Sequence, residues 1–240
     1  MKIWCISDTH MRHKDLIIPK EIDMVIHGGD STNYHNHVMN NVEFNDFIDW
    51  FYTLPIKHKV LIAGNHDEWS MKSYNIHRIK ELGIIYLEHE YCTIDGIRIF
   101  GSPYTPTFGN WYHMKDRTKI AKYWNVLGND IDILVTHGPP KGILDLAYHG
   151  KCLEHCGDGS LLKKVLKINP KYHVFGHIHN NNDNINSGST IIDDVKTVFM
   201  NVSCVTDGEI MEGKLSYGQI IDFKKIKYEK KKYFRNIYFT

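Results

Sequence analysis

A chain of 240 residues, 42% of them hydrophobic, can bury one sizeable core, and an α/β chain of this length commonly stays a single domain. Its 29 basic and 28 acidic residues leave a formal charge of +1, which excludes a general electrostatic attraction to nucleic acid or to a membrane surface. Five cysteines without framework spacing, no charged-then-apolar leader before Lys2-Ile3-Trp4-Cys5-Ile6, and no apolar run of spanning length set the expectation of a reducing, cytoplasmic setting without a membrane partner.

The first apolar run, residues 2–6, feeds directly into Asp8-Thr9-His10. A second, 24–27, ends in Gly28-Gly29-Asp30, where the glycine pair permits a tight turn that carries Asp30 back beside Asp8. Between 42 and 54, Phe44, Phe47, Ile48 and Phe51 recur at three- and four-residue steps, the stripe of an amphipathic helix closed by Pro55. Residues 60–63 read as a buried strand whose end, at a glycine that lets the chain turn, holds out Asn65, His66 and Asp67. A short helix is expected over 74–82 with Gly83 as its cap.

Tyr91-Cys92-Thr93-Ile94 and Ile97-Arg98-Ile99-Phe100 flank Asp95-Gly96, the signature of a type I′ hairpin, so the sheet is expected to be mixed. The loop 101–111, with three aromatics, two prolines and two glycines, reads as a rigid rim. Helices over 116–127 and 159–168, the second stopped by Pro170, each precede a strand that delivers histidine: Thr136-His137-Gly138 after 131–135 and Gly176-His177-Ile178-His179 after 172–175. An exposed Asn-, Ser- and Gly-rich loop, 180–189, then leads to strands near 197–202 and 218–223. The rhythm is β-α-β without a linker or repeat, giving one domain over 1–223 and a basic C-terminal tail over 224–240.

Alone, Gly64-Asn65-His66-Asp67 would be an ordinary polar turn. Five strand ends that all present Asp, Asn or His are a poor match to chance. Asn and His donors mixed with only two carboxylates suit Mn, Fe, Zn or Co better than Mg or Ca, which prefer all-oxygen shells.

In this order the motifs D-x-H, G-D, G-N-H-D, a later H and G-H-x-H resemble the calcineurin-like metallophosphoesterases. Gly101-Ser102-Pro103-Tyr104-Thr105-Pro106, Asn110-Trp111, Thr136-His137-Gly138-Pro139-Pro140 and His173-Val174-Phe175-Gly176-His177-Ile178-His179 narrow the resemblance to the MPPED-type (metallophosphoesterase domain-containing) phosphodiesterases. The resemblance, which runs from about residue 2 to 223, implies an αββα sandwich of mixed β-sheets flanked by helices. It implies two divalent transition-metal ions, one held by Asp8, His10, Asp30 and His179, the other by Asp30, Asn65, His137 and His177. It further implies hydrolysis of phosphoesters, of cyclic nucleotides or related small phosphodiesters, by a metal-bridging hydroxide, with His66 giving a proton to the departing oxygen. Asn65 and His66 are then substrate contacts.

Asn201, in Asn201-Val202-Ser203, stands where MPPED-type relatives carry an Asn-Ala-Ser run near the ligand; Val202 departs from that run, and a strand-end Asn also serves as a cap. Tyr104, Phe108 and Trp111 are equally available to stack a base or to fill the core. His149, Cys152, His155 and Cys156 form a tight cluster, but without the Cys spacings of common zinc modules they read as packing or surface. From 224 to 235 seven Lys or Arg face one Glu; a solvated tail is the first reading and nucleic-acid contact the alternative. A nuclease or RNA-end-processing enzyme is the rival within the same chemistry. An inert binding scaffold is the rival outside it, disfavoured because every ligand of the set is present.

Overall fold

A computed structural model describes residues 1–181, 184–206 and 215–223. In chain order it contains β1 (Lys2–Ile6), β2 (Met24–His27), α1 (His37–Thr53), β3 (His58–Leu61), α2 (Ser73–Glu81), β4 (Ile85–Tyr86), β5 (Glu90–Ile94) and β6 (Ile97–Ser102). There follow β7 (Thr105–Pro106), β8 (Met114–Lys115), β9 (Ile133–Thr136), β10 (Leu146–His149), β11 (Cys152–His155), α3 (Gly159–Ile168), β12 (Tyr172–Phe175), β13 (Gly188–Thr190), β14 (Val198–Asn201) and β15 (Gln219–Asp222).

Two mixed sheets form the centre. One has the order β15-β1-β2-β3-β4 and the other β13-β14-β12-β9-β6-β5. Within each, the inner strands run parallel and the antiparallel partners lie at the edges, β15 in the first sheet, β13 and β5 in the second. Because side chains alternate across a strand, β1 sends Ile3 and Cys5 to one face and Trp4 and Ile6 to the other. The first face meets Ile99, Ile133, Val135, Val174 and Met200 of the second sheet in a shared core. The outer face of the first sheet packs under Phe44, Phe47, Ile48 and Phe51 of α1 and Ile79 of α2. Leu161 and Val165 of α3 cover Leu134, Phe175 and Phe199 on the opposite side. The result is the αββα sandwich. Burying each of the α1 side chains contributes about 1.5–3 kcal/mol, so Phe47→Ala would open a cavity costing about 3–5 kcal/mol.

Local signals explain the element ends. Asn36 starts α1 by accepting from the amides of Val38 and Met39, five residues before the aromatic stripe predicts. Asp158 caps α3, and Asn169, in the left-handed region at φ 50°, ends it ahead of Pro170. Asp95 and Gly96, at φ 48° and 78°, make the hairpin turn as expected. The helix expected over 116–127 is corrected to a 3-10 helix, Ile120–Val126. Asp116 folds the preceding residues into a turn by accepting from Thr118, and Trp124 is pinned to Asp158 through its indole N–H at 2.7 Å, so two buried side chains anchor the segment without α-helical turns. The exposed loop expected at 180–189 instead ends in β13 and buries Asn186, whose amide donates to the carbonyls of Leu146 and His179. Among the described residues no helix is long and apolar enough to cross a membrane.

The register sets up the site. Ile6 pairs with His27 and His27 with Leu61, while Val135 pairs with Val174 and Phe175 with Asn201. Every inner strand therefore ends along one edge. An isolated bridge, Ser7 to Ser203, ties the two sheets together there.

Candidate metal centre

The loops leaving these strand ends carry unusual backbone. Asp8, His10, Asp30 and His177 adopt φ of 51°, 39°, 52° and 69°, the left-handed region that costs a non-glycine residue about 1 kcal/mol or more. Hydrogen bonds hold them: Asp8 N–H donates to Gly29 O, His10 N–H to Asp30 O, and His177 N–H to both oxygens of Asp8. The chain turns at Gly64 as expected, with the Asp67 amide donating to Gly64 O at 3.3 Å. The glycine's φ is not in the left-handed region, but a Cβ there would lie 2.2 Å from Asp30 Oδ1 and 2.6 Å from His137 Cε1. The glycine makes room for the carboxylate. At Gly176 a Cβ would lie 2.0 Å from Asp8 Oδ2.

Three groups of side-chain donors converge, each with its atoms within 4.8 Å of one another: Asp8, His10 and His179; His10, Asp30 and His66; Asp30, His137 and His177. His10 is common to the first two groups and Asp30 to the last two. The Asp30 carboxylate is the more central. Its Oδ2 is 3.8 Å from His10 Nε2 and 3.3 Å from His137 Nε2, and its Oδ1 accepts from the His66 amide at 2.8 Å. Asn65 Oδ1 is 3.0 Å from His137 Nε2, and His179 Nε2 is 3.2 Å from Asp8 Oδ1.

The ring nitrogens facing away settle the tautomers. His10 Nδ1 donates to Thr32 O at 3.1 Å and His137 Nδ1 to Gly28 O at 2.9 Å, so each ring directs Nε2 inward. His10 Nε2 is buried without a hydrogen-bond partner. A buried acceptor of this kind is costly unless something fills the space beside it, and a divalent cation would. The donor set, imidazole nitrogens with two carboxylates and one amide oxygen, fits transition-metal ions.

Electrostatics agree. Burial pushes His10 down to about 4 and His177 to about 3, keeping both rings neutral and able to ligate. Burial by itself would raise Asp8 and Asp30, but His179 beside Asp8 and His137 beside Asp30 hold both carboxyls below the usual range, ionised. The Asp30 carboxylate overcomes burial at His137 and lifts it to about 9, so a metal binding at Nε2 displaces a proton.

His66 stands at the rim of this arrangement. Its ring meets His10 edge-on at 4.8 Å and lies under Trp111 at 4.2 Å, with Nδ1 bonded to Asn33 O at 3.0 Å. Asp67, its neighbour in sequence, does not reach the ring. Its Oδ1 accepts from Ser31 and Thr32 and its Oδ2 from the Gly64 amide. Asp67 thus shapes the Asp30 and Asn65 loops together. Of the three rim aromatics, Trp111 covers His66, Phe108 is exposed beside His177 at 5.1 Å, and Tyr104 packs away from the centre against His89 and Tyr123.

Asn201, expected as a substrate contact, is bonded to backbone groups. Its side chain is fully buried, donates to Leu144 O at 3.0 Å and Ile178 O at 2.9 Å, and accepts from Ser203 N–H. It clamps the backbone between His177 and His179. Reading the sequence missed Ser203, whose hydroxyl donates to Asp8 Oδ2 at 2.9 Å, and Asn40, whose amide donates to His66 O at 2.7 Å. Ser203 follows the Asn201 motif and was within reach of a sequence signal; Asn40, on α1, had none. His149, Cys152 and His155 fall on the β10–β11 hairpin and Cys156 just beyond it, and no three of them converge as ligands among the described residues. The 224–240 tail lies outside the described residues.

Residues 1–181 match the family model described as calcineurin-like phosphoesterase. The chain belongs to that family. This calcineurin-like phosphoesterase is 34% identical over 204 residues to a UPF0046 protein of Caenorhabditis elegans, covering 79% of this chain and 67% of that one. It is 32% identical over 227 residues to human metallophosphoesterase domain-containing protein 1, covering 84% of this chain and 65% of that one. The chain thus spans about two thirds of the length of these relatives. The solved structure of TT1561 from Thermus thermophilus superposes with a TM-score of 0.52 at 11% identity, over 83% of this chain and 88% of that one, a likeness of fold. Family membership makes the chain a phosphoester hydrolase by class.

Proposed function

We propose that this chain is a binuclear metal-dependent phosphodiesterase acting on small, nucleotide-like phosphodiesters, with cyclic nucleotides among them. The observation that carries the reading is Asp30 Oδ2, which faces His10 Nε2 in one donor group and His137 Nε2 in the next. One cation would be held by Asp8, His10, Asp30 and His179, the other by Asp30, Asn65, His137 and His177. When bound, Mn, Fe, Zn or Co at these positions supplies Lewis acidity toward phosphoryl oxygens and a nucleophilic water near neutral pH.

The chain's own residues supply the rest. His66, fixed through Nδ1 by Asn33 O and covered by Trp111, is placed to give a proton to the departing oxygen. Asn65 and His66 would contact the phosphate. Trp111 and the exposed Phe108 provide flat apolar surface for a base. The relatives' name, metallophosphoesterase domain-containing protein, is in keeping with this chemistry.

The test is a panel. Protein reconstituted with Mn²⁺ is assayed on 2′,3′- and 3′,5′-cyclic nucleotides, bis(p-nitrophenyl) phosphate, p-nitrophenyl phosphate and short RNA, and diesters are expected to turn over fastest. His66→Ala is expected to keep both metals and to lose roughly 10²–10⁴ in rate on nucleotide substrates, with a much smaller loss on the aryl diester, whose leaving group departs without an acid. Preference for RNA would favour the nuclease reading. Equal losses on both ester types would remove His66 from proton transfer.

A further inference from the structure

A cavity of about 570 Å³ opens directly beside the centre, bordered by Phe108 and His177 and walled by the β10–β11 hairpin. Its lining holds two cations, Arg117 and Lys141, against one carboxylate, Glu154. Neither cation forms an ion pair among the described residues.

The cavity wall is built with fixed polar groups. Arg117 donates through Nη2 to Cys156 O at 3.1 Å and through Nη1 to Gly157 O at 3.4 Å, which holds the guanidinium in place while leaving other N–H groups free. Asp145 is fully buried, accepts from the amides of Gly142 and Gly157, and accepts from His155 Nδ1 at 2.6 Å. That bond leaves Nε2 of a half-exposed His155 as the polar atom offered by the ring in the cavity wall. Lys141 directly follows His137-Gly138-Pro139-Pro140, and its amide donates to Asp158 O at 3.1 Å, so its position is set by the same loop that delivers His137. An apolar face at Phe108, a carboxylate-oriented imidazole and two unpaired cations are features of a ligand site, and charged groups left unneutralised beside a catalytic centre favour an anion.

Resting on the phosphodiesterase reading above, we infer that this cavity is the subsite for the part of the substrate beyond the scissile phosphate. It selects phosphodiesters that carry a second phosphate, read by Arg117 and Lys141, with His155 hydrogen-bonding the same remote group. A dinucleotide with a terminal phosphate meets that description; a cyclic mononucleotide, with its single phosphate, leaves the cations unanswered.

The experiment uses the full chain loaded with Mn²⁺ and compares ApA, pApA and ApAp, which share one scissile diester and differ only in a terminal phosphate. At least one phosphorylated form is expected to show a KM about tenfold below that of ApA, the 1.4 kcal/mol that a tenfold change in binding represents. In Arg117→Gln/Lys141→Gln that KM ratio should collapse toward one, and Arg117→Lys should restore part of it. Direct binding of adenosine 3′,5′-bisphosphate, measured by calorimetry on the same proteins, should weaken in parallel. If the wild type hydrolyses ApA, pApA and ApAp with equal KM, or if the double variant keeps the ratio, the subsite assignment is wrong while the phosphodiesterase reading stands. If none of the three diesters nor bis(p-nitrophenyl) phosphate turns over, it is that underlying reading that fails.

Discussion

The amide of His66 donates to Asp30 Oδ1 at 2.8 Å while Asp30 Oδ2 points between His10 and His137. One carboxylate thus fixes the loop that carries the proposed proton donor and presents its second oxygen to both donor groups. Proton chemistry and metal chemistry share a single anchor.

Removing that anchor should be worse than removing a terminal ligand. Asp30→Ala is expected to release both metals, because each site loses a ligand and the charge between the cations. Asn65→Ala should release one. Metal content per chain by plasma mass spectrometry decides the matter, and two metals retained at wild-type affinity in Asp30→Ala would show that Asp30 is not the bridge.

Gly64→Ala places a methyl group 2.2 Å from Asp30 Oδ1 and 2.5 Å from its amide nitrogen. Overpacking of this kind costs about 1–3 kcal/mol or more, and here the displaced group is the proposed bridge, so metal affinity should fall with the melting temperature. Gly83→Ala is the control: at φ +71° with nothing within 4 Å of its Cβ, it should cost only about 1 kcal/mol of backbone strain and leave metal binding intact.

Asn201→Ala separates clamp from contact. Its loss leaves the carbonyls of Leu144 and Ile178 without their donor, and the buried orphan at Ile178 costs about 1–3 kcal/mol. Thermal stability should drop and the cations next to His177 and His179 should bind more weakly. A variant with wild-type stability and metal content but a raised KM would return Asn201 to the substrate.

His173 is fully buried between Phe175 and Phe199, with Nε2 donating to Thr136 Oγ1 at 2.8 Å, since that hydroxyl already gives its proton to Gly138 O. Nδ1 has no partner, and burial pushes the imidazole down to about 3. The folded group therefore stays neutral where the unfolded one, near 6.5, takes up a proton. Its contribution to stability is full above about 6.5 and is lost as pH falls toward 3, about 2 kcal/mol of it by pH 5. Denaturant titrations at pH 7.5 and 5.0 should show a smaller acid-induced loss in His173→Gln than in wild type. Identical losses would mean that His173 does not carry this dependence.

The local text of the chain was sufficient wherever a short-range rule governs. Phe44, Phe47, Ile48 and Phe51 mark their helix because a 3.6-residue period places them on one face. Asp95-Gly96 marks its hairpin because both residues tolerate positive φ. The Asp, Asn and His residues at five strand ends were legible for the same reason, since an apolar run that stops at polar ligands needs no tertiary contact to be noticed. What only the folded chain decided is how those ends combine. Parallel register brings Ile6, Leu61, Val135 and Phe175 to one edge, and residues 169 positions apart, Asp8 and His177, then share a hydrogen bond. Asn201 and Asp67 found their partners only in that setting: each is a polar residue beside the site in sequence, and each bonds to backbone groups brought to it by the fold. A side chain's identity limits what it can bond to, but the competition among buried donors for that side chain is settled by distances that only packing creates.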